Sequence, residues 1–156
     1  MLFGIVNRKE EVISFTFVGS EINVFKKVEI FKKEEKTETV LATYYGPITA
    51  YGPDCIGCTT GYTASGYYVR NNIYYEDKEY GKIRIVAADK TLPFGTIVRI
   101  KNLDLFDDDI IAIVLDRGSA IGFKRKVYFD LLYKSEKDTL TFGKRYATFE
   151  ILRKGY

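Results

Sequence analysis

A mainly β fold is what this sequence predicts, on three observations. It carries 13 Tyr and 11 Phe among many Val and Ile, the residue types that fit a pleated, half-buried surface. Its apolar runs are short and are separated by turn-forming clusters such as Leu92-Pro93-Phe94-Gly95 and Arg117-Gly118-Ser119. Only Glu and Lys argue for helix. At 156 residues and 46% hydrophobic, the chain is long enough for one compact core and short for two.

Taken in order, residues 11 to 18 and 22 to 31 are rich in β-branched and aromatic side chains around Gly19-Ser20, which predicts two strands joined as a hairpin. Residues 32 to 39 form a mixed-charge run with no apolar member, expected as a linker. The domain expectation is therefore a small β appendage over 1–39 and a main domain over 40–156. Residues 40 to 45 read as a strand. Residues 46 to 66 are dense in Gly, Pro, Thr and Ser and predict a long loop, and loops of that length are often functional. Five further strands are expected at 83 to 88, 96 to 101, 110 to 115, 126 to 133 and 146 to 152, making six with the first. One short helix is predicted to open at Ser135, with Asp138 completing an approximate capping box, and to close at Gly143.

What is missing restricts the chemistry. The chain has no histidine, which excludes Ser-His-Asp and Cys-His triads and histidine-ligated zinc. The only cysteines, Cys55 and Cys58, form one CxxC, two ligands where structural zinc takes about four, so no metal and no cofactor are expected. A loop-stapling disulfide and two idle thiols are equally open for that pair. The net charge of +3 is too small to predict nucleic-acid binding, though it suits a polyanionic surface such as a cell wall. Charged residues interrupt every apolar stretch well short of about 18 residues, so no membrane insertion is expected. No signal peptide is visible at the start, so export is expected to depend on something outside this segment, or the chain is a fragment of a longer parent.

Three aspartates end apolar runs: Asp89, Asp116 and Asp130. Acids placed where buried strands surface can meet in a cleft with raised pKa values; the plainer reading is that each closes a turn through its own backbone. Tyr44 and Tyr45 are candidates for stacking on sugar rings, and on an alternating strand only one of them can face a cleft. Thr63 is either a hydrogen-bonding group for a ligand or a loop-closing hydroxyl.

In chain order, Ala42-Thr43-Tyr44-Tyr45, Thr63-Ala64-Ser65-Gly66, Val86-Ala87-Ala88-Asp89 with Leu92-Pro93-Phe94-Gly95-Thr96, Asp116-Arg117-Gly118-Ser119-Ala120-Ile121, Phe129-Asp130-Leu131 and Phe142-Gly143-Lys144-Arg145 resemble the 3D (Asp-Asp-Asp) domain. That domain occurs in bacterial cell-wall proteins and is related to MltA-type lytic transglycosylases. The resemblance implies a six-stranded double-psi β-barrel. It also implies non-hydrolytic cleavage of the β-1,4 bond between N-acetylmuramic acid and N-acetylglucosamine in peptidoglycan glycan strands, leaving 1,6-anhydromuramyl ends. The implied location is extracellular or the bacterial cell wall. Carried over residue by residue, Asp130 is the general acid, flanked by Asp116 and Asp89; Tyr45, Thr63, Gly118, Ser119 and Ala120 are the expected substrate contacts, although Gly118 reads first as a turn residue. The chain departs from the common Asp-Thr-Gly-Gly-Ala-Ile-Lys-Gly pattern: Arg117 replaces Thr, Ser119 replaces the second Gly, and Gly122-Phe123 stand for Lys-Gly. Lys124, Arg125 or Lys126 could substitute for that Lys.

Other classes compete. An expansin-like barrel would bind glycan without cleaving it. An aspartic peptidase is echoed by Asp116-Arg117-Gly118, but one such motif would need a dimer to build a two-Asp dyad. Divalent-cation binding by the three acids lacks the dense ligand spacing of calcium loops.

Overall fold

The computed structural model describes residues 38 to 58 and 60 to 156 in full, and before them the backbone of four short strands. These are β1 (Lys9–Val12), β2 (Phe15–Val18), β3 (Glu21–Val24) and β4 (Val28–Phe31). β2 pairs antiparallel with β3 and β1 with β4, so each strand of the predicted hairpin is two strands rather than one. The chain divides into two compact units, Met1–Glu38 and Thr39–Tyr156.

The second unit is built from β5 (Ala42–Tyr51), β6 (Tyr74–Asp77), β7 (Gly81–Ala88), β8 (Ile97–Lys101), β9 (Ile110–Asp116), β10 (Phe129–Leu132), α1 (Glu136–Thr139) and β11 (Arg145–Arg153). Neighbouring strands follow the order β10-β5-β11-β8-β9-β7-β6, and a β10–β7 pairing closes six of them into a barrel, leaving β6 as an extra strand. The β5–β10 and β7–β9 pairs are parallel; the remaining pairs are antiparallel. Exchanging β5 with β9, β7 with β10 and β8 with β11 reproduces every neighbour relation in the barrel. That is the pseudo-twofold pairing expected of a double-psi barrel, and the mainly β fold with six barrel strands follows the sequence expectation.

Alternation along the strands separates two cores. One side chain in two faces the lumen, where Ile48, Val86, Val114, Phe129, Leu131 and Phe149 pack with their neighbours, and Phe129 and Phe149 tilt ring to ring at 4.6 Å. The alternate residues face outward. Ile85, Ile97, Ile113, Leu115 and Leu132 are buried on that side because Val69, Ile73 and Tyr67, from the segment between β5 and β7, cover them. Burying these five aliphatic side chains contributes of the order of 1.5–3 kcal/mol each, so the covering segment is part of the fold and not a loose loop.

Three expectations are corrected. The long loop does not start at Gly46, because β5 continues to Tyr51. Gly46 is a strand residue here since a Cβ would stand 2.3 Å from the Tyr128 ring. Pro47 is tolerated, needing no donor while its carbonyl accepts from the Tyr128 amide at 2.8 Å. The strand expected over 126 to 133 is only Phe129–Leu132; Val127 instead bridges Ile121. β6 went unforeseen: four residues between Asn71-Asn72 and the Lys78–Tyr80 turn are too few to display a period. The predicted helix is a single turn. Ser135 caps it by accepting from the Asp138 amide, and Gly143, at φ 62°, follows it in the left-handed conformation.

Candidate functional site: a carboxylate cleft on the barrel's outer face

Asp130 lies in β10 opposite Thr49 of β5 and Ala87 of β7. Because Phe129 and Leu131 enter the lumen, Asp130 points outward. Asp116 reaches the same face through an irregularity in β9. Val86 is opposite Val114, but the next residue, Ala87, is opposite Asp116, so Leu115 is an extra residue. Without that bulge Leu115 would pair with Ala87 and Asp116 would turn to the other side of the sheet; bulges re-aim side chains in this way.

The two acids are set in different surroundings. Asp116 is held by three donors: its Oδ1 accepts from the Ala64 amide and from the Arg117 amide, each at 2.8 Å, and its Oδ2 accepts from the Tyr51 hydroxyl at 2.7 Å. Burial, and then the Asp116 carboxylate, keep the Tyr51 phenol protonated far above its ordinary range, so Tyr51 remains a donor. Asp130 accepts one hydrogen bond, from the Thr49 hydroxyl to Oδ1 at 2.8 Å. Burial pushes its carboxyl up to about 6; the charges of Glu136 and Asp116 push the same way, and the Thr49 bond opposes them. One carboxylate fixed by donors and one acid that is partly protonated near neutrality therefore line a single cleft of about 300 Å³.

The segment after β5 walls the cleft. It is pinned at its start, where Gly52 N–H donates to Glu136 Oε2 at 2.9 Å and Glu136 N–H donates to Asp54 Oδ1 at 2.6 Å. A Cβ on Gly52 would lie 2.0 Å from the Glu136 nitrogen, so only glycine permits this approach. The far end is pinned by the Ala64 bond to Asp116 and by Ser65 N–H donating to the Leu115 carbonyl at 3.1 Å. Between the pins, Cys55 and Cys58 are joined as a disulfide, and both line the cleft. Tyr62 also lines it, exposed and tilted against Tyr68 at 5.0 Å between ring centroids.

The structure brings Asp116, Asp130 and Gly118 together and leaves the other expected site residues elsewhere. Asp89 lines an adjacent pocket with Ser119; its Oδ1 accepts from the Thr91 amide at 2.8 Å, and this bond, helped by the Arg117 and Arg125 charges, holds its carboxyl below the usual value. Thr63 is buried, and its hydroxyl closes the loop by accepting from the Tyr67 amide at 3.0 Å. Ala120 is exposed in the Arg117-Gly118 turn region. Tyr45 is on β5 four residues before Thr49, about 13 Å along the strand, where it pairs with Tyr146 on the surface. Thr49, Tyr51, Tyr62 and Glu136 escaped sequence reasoning. Only Thr49 and Tyr51 left a signal, since Thr49-Ala50-Tyr51 resumes the β pattern after Pro47.

Fold and site together define a closed β-barrel carrying a two-carboxylate cleft on its outer face. No protein-family model matches the chain, and no curated protein matches it. Among the described residues no three Cys, Asp or Glu side chains converge as a metal site, and no helix is long and apolar enough to cross a membrane.

Proposed function

We propose that this protein is a 3D-type lytic transglycosylase acting on peptidoglycan glycan strands in a bacterial cell wall. The observation that carries the proposal is Asp130: an outward-facing carboxyl, raised to about 6, in an open cleft it shares with Asp116. Glycoside cleavage needs one carboxyl that keeps its proton and negative charge near the developing oxocarbenium ion. Asp130 supplies the proton and Asp116 the charge.

The reaction proceeds as one exchange of bonds at the muramyl C1. Asp130 gives its proton to the glycosidic oxygen as the bond from C1 to that oxygen breaks. The 6-hydroxyl of the same sugar then bonds to C1, and its proton returns to the Asp130 carboxylate. No water is consumed and no histidine base is required. Thr49 orients the acid by binding Oδ1, which leaves Oδ2 to carry the proton. Tyr51 and the two amides hold Asp116 in place.

Digestion of purified peptidoglycan by the wild type and by Asp130→Asn, read by mass spectrometry, tests this. Anhydromuropeptides are expected from the wild type and none above background from the variant. Glycan binding with no anhydro ends from the wild type would reject the catalytic reading in favour of an expansin-like module. The triple engagement of Asp116 is what favours that second reading, because an anion already satisfied by three donors has less to offer a transition state.

A further inference from the structure

Beyond the Arg117-Gly118 turn lies a second pocket, of about 440 Å³, bordered by Asp89, Lys90, Arg117, Ser119 and Arg125. Arg117 and Gly118 line both hollows, so the two are adjacent. Arg117 is committed to the fold. Its guanidinium donates to the carbonyls of Ala88, Leu92 and Asp116 and lies 4.0 Å from the Phe94 ring centroid. Lys90 and Arg125 are exposed, and their side chains form no hydrogen bond or ion pair with the described residues. Asp89 spends Oδ1 on the Thr91 amide, which leaves three cations against one anion around the pocket. Lys90 and Arg125, two cations that the fold does not engage, with the Ser119 hydroxyl beside them, suit an oxyanion.

We infer that this pocket is a subsite for a carboxylate borne by the substrate, seated between Lys90, Arg125 and the Ser119 hydroxyl. The inference rests on the glycan-cleaving reading and sharpens it: the preferred polymer carries acidic peptide stems close to the bond that breaks. Two long cationic side chains would grip the carboxylate by charge-assisted hydrogen bonds.

Binding to full-length Asp130→Asn protein tests it without turnover. The probes are glycan strands with free-carboxylate stems, the same strands with those carboxylates amidated, strands stripped of stems, and succinate or inorganic phosphate alone. Free-carboxylate strands are expected to bind about tenfold tighter than amidated ones. Adding Lys90→Gln and Arg125→Gln, both at exposed positions, removes that preference and leaves affinity for stripped strands within about twofold. Equal affinity for free and amidated strands, or a preference that survives the double substitution, overturns the inference. Phosphate shifting the Lys90 and Arg125 amide resonances while succinate does not overturns the carboxylate assignment. If no strand binds but succinate shifts those resonances, and the double substitution abolishes the shifts, the glycan reading fails and the oxyanion site stands.

Discussion

Asp130→Asn should stabilise the protein at the pH where it disables it. The carboxyl titrates at about 6 in the fold against an ordinary 3.8. At roughly 1.4 kcal/mol per pH unit, ionising it in the folded state costs about 3 kcal/mol relative to the unfolded chain. The sign follows from linkage. A carboxyl raised on folding contributes fully below 3.8, and its contribution is lost as pH rises through about 6. An amide at this position keeps an oxygen for the Thr49 hydroxyl and never ionises. The variant should therefore gain on the wild type by about 2 to 3 kcal/mol between pH 4 and pH 7, mostly below pH 6, and by little more above pH 7. Urea unfolding of both proteins at several pH values reads the gap, with an expected midpoint shift of about 1 to 1.5 M at pH 7.5 for a slope near 2 kcal/mol/M. Wild-type cleavage should fall above pH 6 along the same titration, since the donor proton is then gone. Stability curves that stay parallel from pH 4 to pH 8 would refute the desolvated acid, whatever the activity assay shows.

Three other substitutions probe the cleft and its supports. Tyr62→Ala removes the exposed ring at the cleft wall and should raise KM about three- to tenfold with kcat within about twofold, whereas Tyr45→Ala, on the surface about 13 Å away along β5, should change neither. Steady-state kinetics on soluble glycan strands separates the two. Gly52→Ala drives a Cβ onto the backbone of Ser135 and Glu136 and breaks both bonds that pin the wall, so thermal unfolding should register a loss of about 2 to 4 kcal/mol. Tyr51→Phe deletes the donor to Asp116 Oδ2; a loss of about 1 to 2 kcal/mol in denaturant unfolding is expected, together with reduced cleavage, and a variant equal to wild type in both would show that this bond does not position Asp116.

Sequence periodicity makes the barrel strands legible because each carries its own apolar run, and it makes Asp116 and Asp130 legible because each closes one. It is blind wherever a distant partner decides. Gly46-Pro47 reads as the start of a loop until the Tyr128 ring and amide supply a reason for both residues inside a strand. Asp89 has the same local signature as the other two acids, yet Thr91 and the arginines engage it on the far side of Arg117. The bulge that turns Asp116 outward is one extra residue in an unbroken apolar run, Ile113-Val114-Leu115, and no residue in that run marks it. Glu136 reads only as the first residue of a short helix, and its link to Gly52 spans 84 positions of sequence.

The pseudo-twofold of the barrel explains why the acid is single. The strand exchange maps β7 onto β10, and taken about their Asp130–Ala87 pair it relates the residues around the acid. On the next strands out, Thr49 is the neighbour of Asp130 and Asp116 the neighbour of Ala87, both in parallel register. The exchange that relates the halves therefore swaps Asp130 with Ala87 and Thr49 with Asp116. All four residues are neighbours across the adjacent strands β5, β10, β7 and β9. A symmetric sequence would put two carboxyls face to face, and like charges that close would share a proton, as in an aspartic dyad. Ala87 is buried and lines the cleft in place of a second acid, so the environment of Asp130 is set first by desolvation and only secondarily by the charges of Glu136 and Asp116. Breaking the symmetry at these two pairs is what leaves one desolvated carboxyl and one carboxylate held by donors, in separate surroundings.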